Sequence, residues 1–446
     1  MRVKTMRRIP YLNFSALAAL AVLAGCGCGN NAGTTDTGTT GTTTTTGTTA
    51  GTTGTTAAKR PMPTAPGNTA GDKIILGMVA SLNGDLKPWG EDCKKGGELA
   101  MEEFKKANPN GIGGKPVQLV VSDSNSAAEQ GKSAAEKLIS DGSLAIIGEV
   151  ASGITAQIAN AAFEKGIPVV AVGATRTDLT DIGANVFRVC YTDDFQGPVM
   201  AKFAYEELGK KRVGLITDQK QPYSTGLSNS FRDFFVKLGG TVVDEEFYNS
   251  KDTQFSGQLT NLKAKQPDVI FMSGYFTETG PLARQAREQG IGKDVELLGG
   301  DGWDSSEILT TGGDAILGSF FCNHYNNKET RPEVGAFLNK WKAKYHSEPG
   351  TTMGALGYDA TMMTLEALKT AASLDSKALR DSIDNVENFP GVSGKITLKG
   401  MGGNPHKRAL VVKLTKQGQA FAKAYEWEQV IPTSGGPSTT STTQSQ

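Results

Sequence analysis

A set of residues spread along this 446-residue chain has the chemistry to hold a small zwitterion. The Ser152 and Thr175 hydroxyls, with backbone amides in loops of small residues, could donate to a carboxylate. The Asp301 carboxylate could hold an ammonium group, and aromatic rings could enclose an apolar side chain. The candidate ligand-binding residues are Trp89, Ser152, Gly173, Ala174, Thr175, Tyr223, Tyr275 and Asp301. Taken singly, such residues more often pack or form turns, so the prediction depends on the whole set.

The stretch from Ile146 to Thr175 predicts how some of these residues meet. Two apolar runs, 144–147 and 167–172, are bounded by Gly and Pro and rich in Ile and Val, as buried parallel strands are. A helix-like segment ending at Lys165 separates them. Ligands of open α/β sheets bind beyond the carboxyl ends of the strands, which is where Ser152 and Thr175 would lie. Ordinary strand-to-helix turns are the alternative interpretation.

The rest of the chain from residue 73 onward alternates strands with helix-length segments, and this alternation restarts near Cys190. The pattern predicts an α/β fold of two doubly wound, mainly parallel-sheet lobes whose strand ends face a shared cleft. Crossings near Thr192, Asn323 and Lys395 would return the late helices to the first lobe, although the sequence alone does not fix them. The expected boundaries are 72–192 with 324–394 for lobe 1, 193–323 with 395–429 for lobe 2, and 430–446 for a disordered tail.

The amino terminus has the features of a targeting segment. Basic residues precede an apolar core at 14–23, which is too short to span a bilayer. The core ends in "LAGC", which resembles the lipobox of bacterial lipoproteins and implies a signal peptide at 1–25 with lipidation of Cys26. Residues 26–71, rich in Thr and Gly, are expected to form a flexible tether. We therefore expect an exported protein, lipid-anchored on the periplasmic or extracellular face of a bacterial membrane.

The composition excludes some classes of function. The chain has 46 Lys plus Arg and 46 Asp plus Glu, so its bulk charge gives no reason to expect nucleic acid binding. Cys93, Cys190 and Cys322 are widely scattered without metal-type spacing, which leaves one disulfide or three buried thiols as alternatives. We expect no metal, no cofactor and a monomer.

Two other classes of protein are alternatives to a binding protein that supplies a transporter. An enzyme is not supported, because His324, His346 and His406 form no metal or triad pattern and no GxGxxG follows the first strand. Ser152 lies in "ASGIT", which lacks the GxSxG form of a nucleophile elbow. A ligand-sensing subunit of a membrane receptor would use the same binding chemistry, and only its partner would differ.

The folded part of the chain, from about Lys73 to Glu426, resembles the periplasmic binding proteins of branched-chain amino acid (Leu/Ile/Val) ABC transporters. The matching segments include "GDLKPWGEDCKKGGELAMEE", "AIIGEVASGITAQ", "GIPVVAVGATRTDLT", "DDFQGPVMAKFA", "TDQKQPYSTGL" and "GYFTETGPLARQAREQG". The "GAT" loop followed by "DLT", with the spacing to Tyr223 and the acidic residue after "GG", is the more specific part. The resemblance implies two α/β lobes joined by a hinge of three crossovers that closes on the ligand like a Venus flytrap.

The resemblance also implies roles for the candidate residues. Ser152, Thr175 and the Gly173 backbone match carboxylate-binding groups, and Asp301 stands where the family has a Glu that holds the α-ammonium. Trp89 matches a side-chain pocket residue, and Tyr223 and Tyr275 match residues of the second lobe. Aspartate is one methylene shorter, so the ammonium would sit deeper or be bridged by water. A cysteine pair of the enteric members is absent, with Ala151 at one of its positions.

Relatives for urea and amides share this scaffold, so the fold does not name the ligand. The implied partners are an amino acid and the permease of an ABC transporter.

Overall fold

The computed structural model describes residues 60–431. The predicted signal peptide, Cys26, the tether before Arg60 and the tail from residue 432 lie outside the described residues. Between residues 60 and 431, no helix combines the length and apolar character needed to cross a membrane.

The described chain alternates strands and helices, and its elements are numbered in chain order. The strands are β1 Ile74–Ala80, β2 Val117–Asp123, β3 Ser143–Ile147, β4 Val169–Ala171, β5 Val186–Arg188, β6 Arg212–Asp218, β7 Thr241–Tyr248, β8 Val269–Met272, β9 Glu296–Gly299, β10 Phe320–Asn323, β11 Phe389–Gly391, β12 Gly394–Ile396, β13 Ala409–Thr415 and β14 Gly418–Tyr425. The helices are α1 Lys87–Ala107, α2 Ala128–Ser140, α3 Ser152–Glu164, α4 Asp193–Lys202, α5 Pro222–Lys237, α6 Ser256–Ala264, α7 Phe276–Glu288, α8 Glu307–Gly312, α9 Pro332–Tyr345, α10 Met353–Thr370, α11 Ser376–Asp384 and α12 Trp427–Val430.

Two sheets with the same strand order form the core. The first has the order β2-β1-β3-β4-β5 and is parallel throughout. The second repeats this order in parallel as β7-β6-β8-β9-β10 and adds β13 and β14 in antiparallel orientation. Because both faces of these sheets are covered, β3, β4 and β8 are wholly buried, whereas the edge strands β2 and β7 are mostly half-buried. The predicted α/β architecture is confirmed.

The two sheets define the two lobes. We call the first sheet with α1–α3, α9–α11 and the β11–β12 hairpin the first lobe, and the second sheet with the remaining helices the second lobe. The late helices belong to the first lobe because α10 packs along α1 and both α10 and α11 contact β3. The chain therefore crosses between lobes three times, in segments 189–192, 324–331 and 397–408.

The segment 60–71, which the sequence assigned to the tether, lies against the first lobe. The Arg60 guanidinium donates to the Val186 carbonyl at 2.7 Å. The Asn68 side-chain amide donates to the Ile139 and Ser143 carbonyls at 2.8 and 2.9 Å. Backbone pairing joins Thr69 to Asp375. Residues 60–71 are thus part of the folded body, because polar groups of this segment form hydrogen bonds with the first lobe.

Two helices begin earlier than the sequence pattern predicts. The pattern predicts helices that begin near Cys93 and Thr225, with Trp89 and Tyr223 in the preceding loops. In the structure, Trp89 and Tyr223 lie in the first turns of α1 and α5. A proline stands at the first or second position of each helix, where the missing backbone N–H has no intrahelical partner to lose. Trp89 and Tyr223 are therefore held by helical backbone.

Close contact between α1 and α10 depends on glycine. A Cβ atom at Gly96 would lie 1.9 Å from the Gly354 carbonyl oxygen, and one at Gly357 would lie 2.4 Å from the Cys93 carbonyl oxygen. Both obstacles are backbone atoms, which cannot move without displacing a helix. This contact joins the late helices to the first lobe, and it tolerates no side chain at either position.

We expect Gly96→Ala to lower the free energy of unfolding by about 1–3 kcal/mol, because overpacking outweighs the gain in helix propensity of about 1 kcal/mol. Denaturant titration followed by circular dichroism measures the change. Gly335→Ala in α9 is the matched control, because a Cβ atom there meets nothing within 4 Å. A Gly96→Ala protein as stable as Gly335→Ala would show that the helices can separate freely.

Candidate functional site

The candidate residues converge between the two lobes. Loops and helix starts that follow β1, β3 and β4 meet those that follow β6, β8 and β9 around one small cavity. Its lining residues are Trp89, Val150, Ser152, Gly173, Tyr223, Tyr275, Asp301, Gly302 and Met353. In sheets of this strand order the crevice lies where the connections change direction, here beside β1 and β3 and beside β6 and β8. Six of the eight predicted residues line the cavity.

The first lobe offers an anion-binding surface to the cavity. Ser152 is the first residue of α3, and the first amides of a helix have no intrahelical acceptor. Its hydroxyl accepts a bond from the Arg176 amide at 3.3 Å. A Cβ atom at Gly173 would lie 2.8 Å from the Met353 sulfur, so a side chain there would displace Met353. The backbone and a hydroxyl, rather than a cationic side chain, therefore face the cavity on this side.

Ala174 and Thr175 were predicted at the site, but they do not line the cavity. The Ala174 carbonyl accepts bonds from the Arg188 guanidinium at 2.8 Å and from the Cys190 thiol at 3.3 Å. The Thr175 hydroxyl accepts a bond from the Gln196 amide at 3.3 Å. These bonds turn both residues toward buried partners, one layer behind Gly173.

The second lobe presents the Asp301 carboxylate, whose residue is only 3% exposed. Its Oδ1 accepts bonds from the Tyr223 hydroxyl at 2.9 Å and from Gln196 Nε2 at 3.0 Å. Its Oδ2 accepts a bond from His324 Nε2 at 3.0 Å. A carboxylate has about four acceptor positions, so one position on Oδ2 stays open. Asp301 is thus a buried anion with room for one more donor.

A second buried carboxyl group, Asp193, lies beside this centre. Gln196 Nε2 donates to Asp193 Oδ1 at 2.7 Å as well as to Asp301, so one amide bridges the two acids. Burial, with the neighbouring charge of Asp301, raises the pKa of Asp193 to about 8. The Asp193 carboxyl group is therefore mostly protonated at neutral pH, next to the acid that lines the cavity.

Aromatic rings close the cavity between the lobes. The Trp89 ring contacts Tyr275 and Phe276 edge-on, with centroids 5.1 Å apart in each case. Its indole N–H reaches across to the Asp304 carbonyl at 2.7 Å. The Tyr275 hydroxyl is buried and has no hydrogen-bond partner within residues 60–431. Trp89 therefore ties the first lobe to the second, and Tyr275 keeps a free donor next to the cavity.

Several important residues were not found from the sequence. Val150, Gly302 and Met353 line the cavity, while Gln196 and His324 hold Asp301. Gln196 lies in the "DDFQG" segment, and the resemblance of this segment to the family is the one sequence feature that could have indicated its importance. His324 was considered only as a metal ligand or catalytic residue, although it follows a strand.

The three cysteines of the described chain, Cys93, Cys190 and Cys322, are free and buried, so the three-thiol alternative is confirmed over the one-disulfide alternative. Burial raises the pKa of the Cys190 thiol to about 12, which leaves it unreactive at neutral pH.

These features define a class of protein. The chain belongs to the periplasmic binding protein family, because residues 73–419 match this family. Members of the family bind substrates without catalysis. The enzyme interpretation is thereby excluded.

Individual relatives are more specific. The Leu/Ile/Val-binding protein BraC3 of Rhizobium johnstonii is 31% identical over 326 residues, which cover 73% of this chain and 87% of the relative. The crystal structure of a leucine binding protein, LivK, from Thermotoga maritima is similar with 36% identity and a TM-score of 0.75, covering 79% of this chain and 99% of that one. A branched-chain amino acid transporter substrate binding protein, LivJ, from Streptococcus pneumoniae in complex with isoleucine has 29% identity and a TM-score of 0.73, with the same coverage.

We expect Gln196→Leu to lower the free energy of unfolding by about 1–3 kcal/mol, because two buried carboxyl groups lose a shared donor. Urea titration of the unliganded protein measures this change. Gln219→Leu removes an amide that bonds only to an exposed partner, Asn249, and should change the stability little. Equal stability of the two variants would mean that Gln196 is dispensable for the acid pair.

Proposed function

We propose that this protein is an exported, lipid-anchored binding protein that captures an aliphatic, branched-chain amino acid between its lobes and delivers it to an ABC transporter permease. The lipid anchor at Cys26 is proposed from "LAGC" after the apolar core. The amino acid class is supported by the relatives named for leucine, isoleucine and valine.

The open acceptor position on Asp301 is the observation that carries the proposal. A buried carboxylate attracts a cationic donor strongly, because an anion without enough partners is costly to keep out of water. An ammonium group placed there would lie opposite the first amides of α3 and the Ser152 hydroxyl, which suit a carboxylate. The two ends of one small zwitterion thus find complementary groups on the two lobes.

The remaining wall of the cavity suits an apolar side chain. Trp89, Val150 and Met353 contribute hydrocarbon surface to this wall. Tyr275 and Tyr223 stack with centroids 5.1 Å apart, which fixes the aromatic part of the wall. An aliphatic side chain suits this wall better than a charged one.

Closure of the two lobes is the proposed mechanism. Ligand groups bound by both lobes favour the closed arrangement, because only that arrangement makes all of the contacts. The bond from Trp89 to the Asp304 carbonyl and an ion pair of 3.3 Å between Lys251 and Asp85 also join the lobes. The closed protein would then dock on the permease and release the ligand.

A panel of leucine, isoleucine, valine, small amides and urea tests the ligand class. We expect the branched-chain amino acids to raise the thermal midpoint, since a ligand of the native state stabilises it by mass action. A response to amides or urea alone would keep the fold and reassign Asp301. A response to none of them would contradict the proposed ligand class.

We expect Asp301→Ala to weaken leucine binding by about 3–5 kcal/mol, because an ammonium would be buried without its partner. Isothermal titration calorimetry measures the loss. Asp301→Asn keeps the shape and removes the charge, while Asp314→Ala removes an exposed acid and is the matched control. Unchanged affinity in Asp301→Ala would remove Asp301 from the site.

A further inference from the structure

His324 holds Asp301 from outside the cavity. It begins the second crossover, its ring is fully buried, and its Nε2 lies 3.0 Å from Asp301 Oδ2. Tyr191 stacks on the imidazole, with the ring centroids 4.1 Å apart and the planes at 22°. The ring is thus fixed on one face by an aromatic side chain and along one edge by a carboxylate.

The geometry gives His324 a role that the other donors cannot take. Tyr223 and Gln196 both donate to Oδ1, and in residues 60–431 His324 is the one donor to Oδ2. The side-chain torsion next to an aspartate carboxyl group is broad, so donors on one oxygen alone leave the plane poorly fixed. A donor on each oxygen sets the plane and determines where the open acceptor position lies.

His324 can donate to Asp301 through Nε2. An ionised carboxylate only accepts hydrogen bonds, so a bond between the two side chains requires a proton on Nε2. His324 Nδ1 is buried and has no hydrogen-bond partner among the described residues. Nε2 is therefore the ring nitrogen through which His324 can hold Asp301.

The backbone that carries His324 is itself fixed. The His324 backbone N–H donates to Asn323 Oδ1 at 2.8 Å. The Asn323 side-chain Nδ2 donates to Gln419 Oε1 at 2.9 Å. Gln419 donates to Asp304 Oδ1 at 2.7 Å, and the Asp304 carbonyl accepts the Trp89 indole N–H. This chain of bonds links the support of Asp301 to the residue that closes the cavity from the other lobe.

We propose that His324 is a positioning residue that sets the ammonium-binding geometry of Asp301 from the hinge. This role rests on the proposed function, because it requires that a ligand ammonium binds to Asp301. The donor at Nε2, and not the size or stacking of the ring, is the feature that matters.

Three substitutions separate the hydrogen bond from the rest of the side chain. His324→Phe keeps a ring beside Tyr191 and removes the donor. His324→Gln places an amide N–H near the position of Nε2, whereas the shorter side chain of His324→Asn cannot reach it. His406→Phe is the matched control, since His406 also stacks on an aromatic ring, Trp427, at 4.1 Å, but makes no bond to Asp301.

Calorimetric titration with leucine gives the readout. We expect His324→Phe and His324→Asn to bind leucine about tenfold or more weakly, a typical effect for a hydrogen bond to a charged group. His324→Gln should stay within about threefold of the unaltered protein, and His406→Phe should not differ from it. If the Phe variant fails to fold, which its urea midpoint reports, the comparison of Gln with Asn gives the answer.

The outcomes distinguish this role from the proposed function. No leucine binding by the unaltered protein overturns the proposed function and this role with it. Normal binding by the unaltered protein, with a His324→Phe variant that binds as tightly, overturns the role alone. Equal weakening in Gln and Phe would also overturn it, because the donor would then be irrelevant.

Discussion

The site is organised by the need to satisfy one buried carboxyl group inside the protein. Removing Asp301 from water is costly unless donors replace the lost hydration. Tyr223, Gln196 and His324 supply three donors, and one position is left for a ligand. A Cβ atom at Gly300 would lie 2.6 Å from the Tyr223 hydroxyl, so glycine there permits this close approach. Asp301 is thus held by side chains from two helices and the second crossover, and Gly300 leaves space for one of them.

The repeated strand order explains why the two halves of the site match. The order β2-β1-β3-β4-β5 recurs as β7-β6-β8-β9-β10, and each lobe contributes residues that follow its first, third and fourth strands. After these strands the first lobe has Trp89, backbone amides and a hydroxyl, and the second has two tyrosines and an acid. One topology, with different residues at its strand ends, therefore gives the two sides of the cavity different chemistry.

The sequence was sufficient to predict which residues follow the strands and line the cavity. It was not sufficient to predict which side chains hold Asp301 in place. Ser152, Gly173 and Asp301 could be placed because apolar runs and glycines mark the strand ends, and parallel strands bring those ends to one edge. Gln196 and His324 act on Asp301 from 105 and 23 positions away in the chain, and no local pattern indicates such a contact. The sequence pattern places Trp89 and Tyr223 in loops, whereas in the structure the proline before each residue stands at the start of a helix.

The segment 60–71 has a mechanical consequence. Arg60 and Asn68 bind it to the first lobe, so any force that reaches the body from the preceding chain enters through that lobe. The second lobe is connected to it covalently only by the three crossovers. A rotation of the second lobe about these crossovers would therefore leave the contacts of segment 60–71 with the first lobe unchanged.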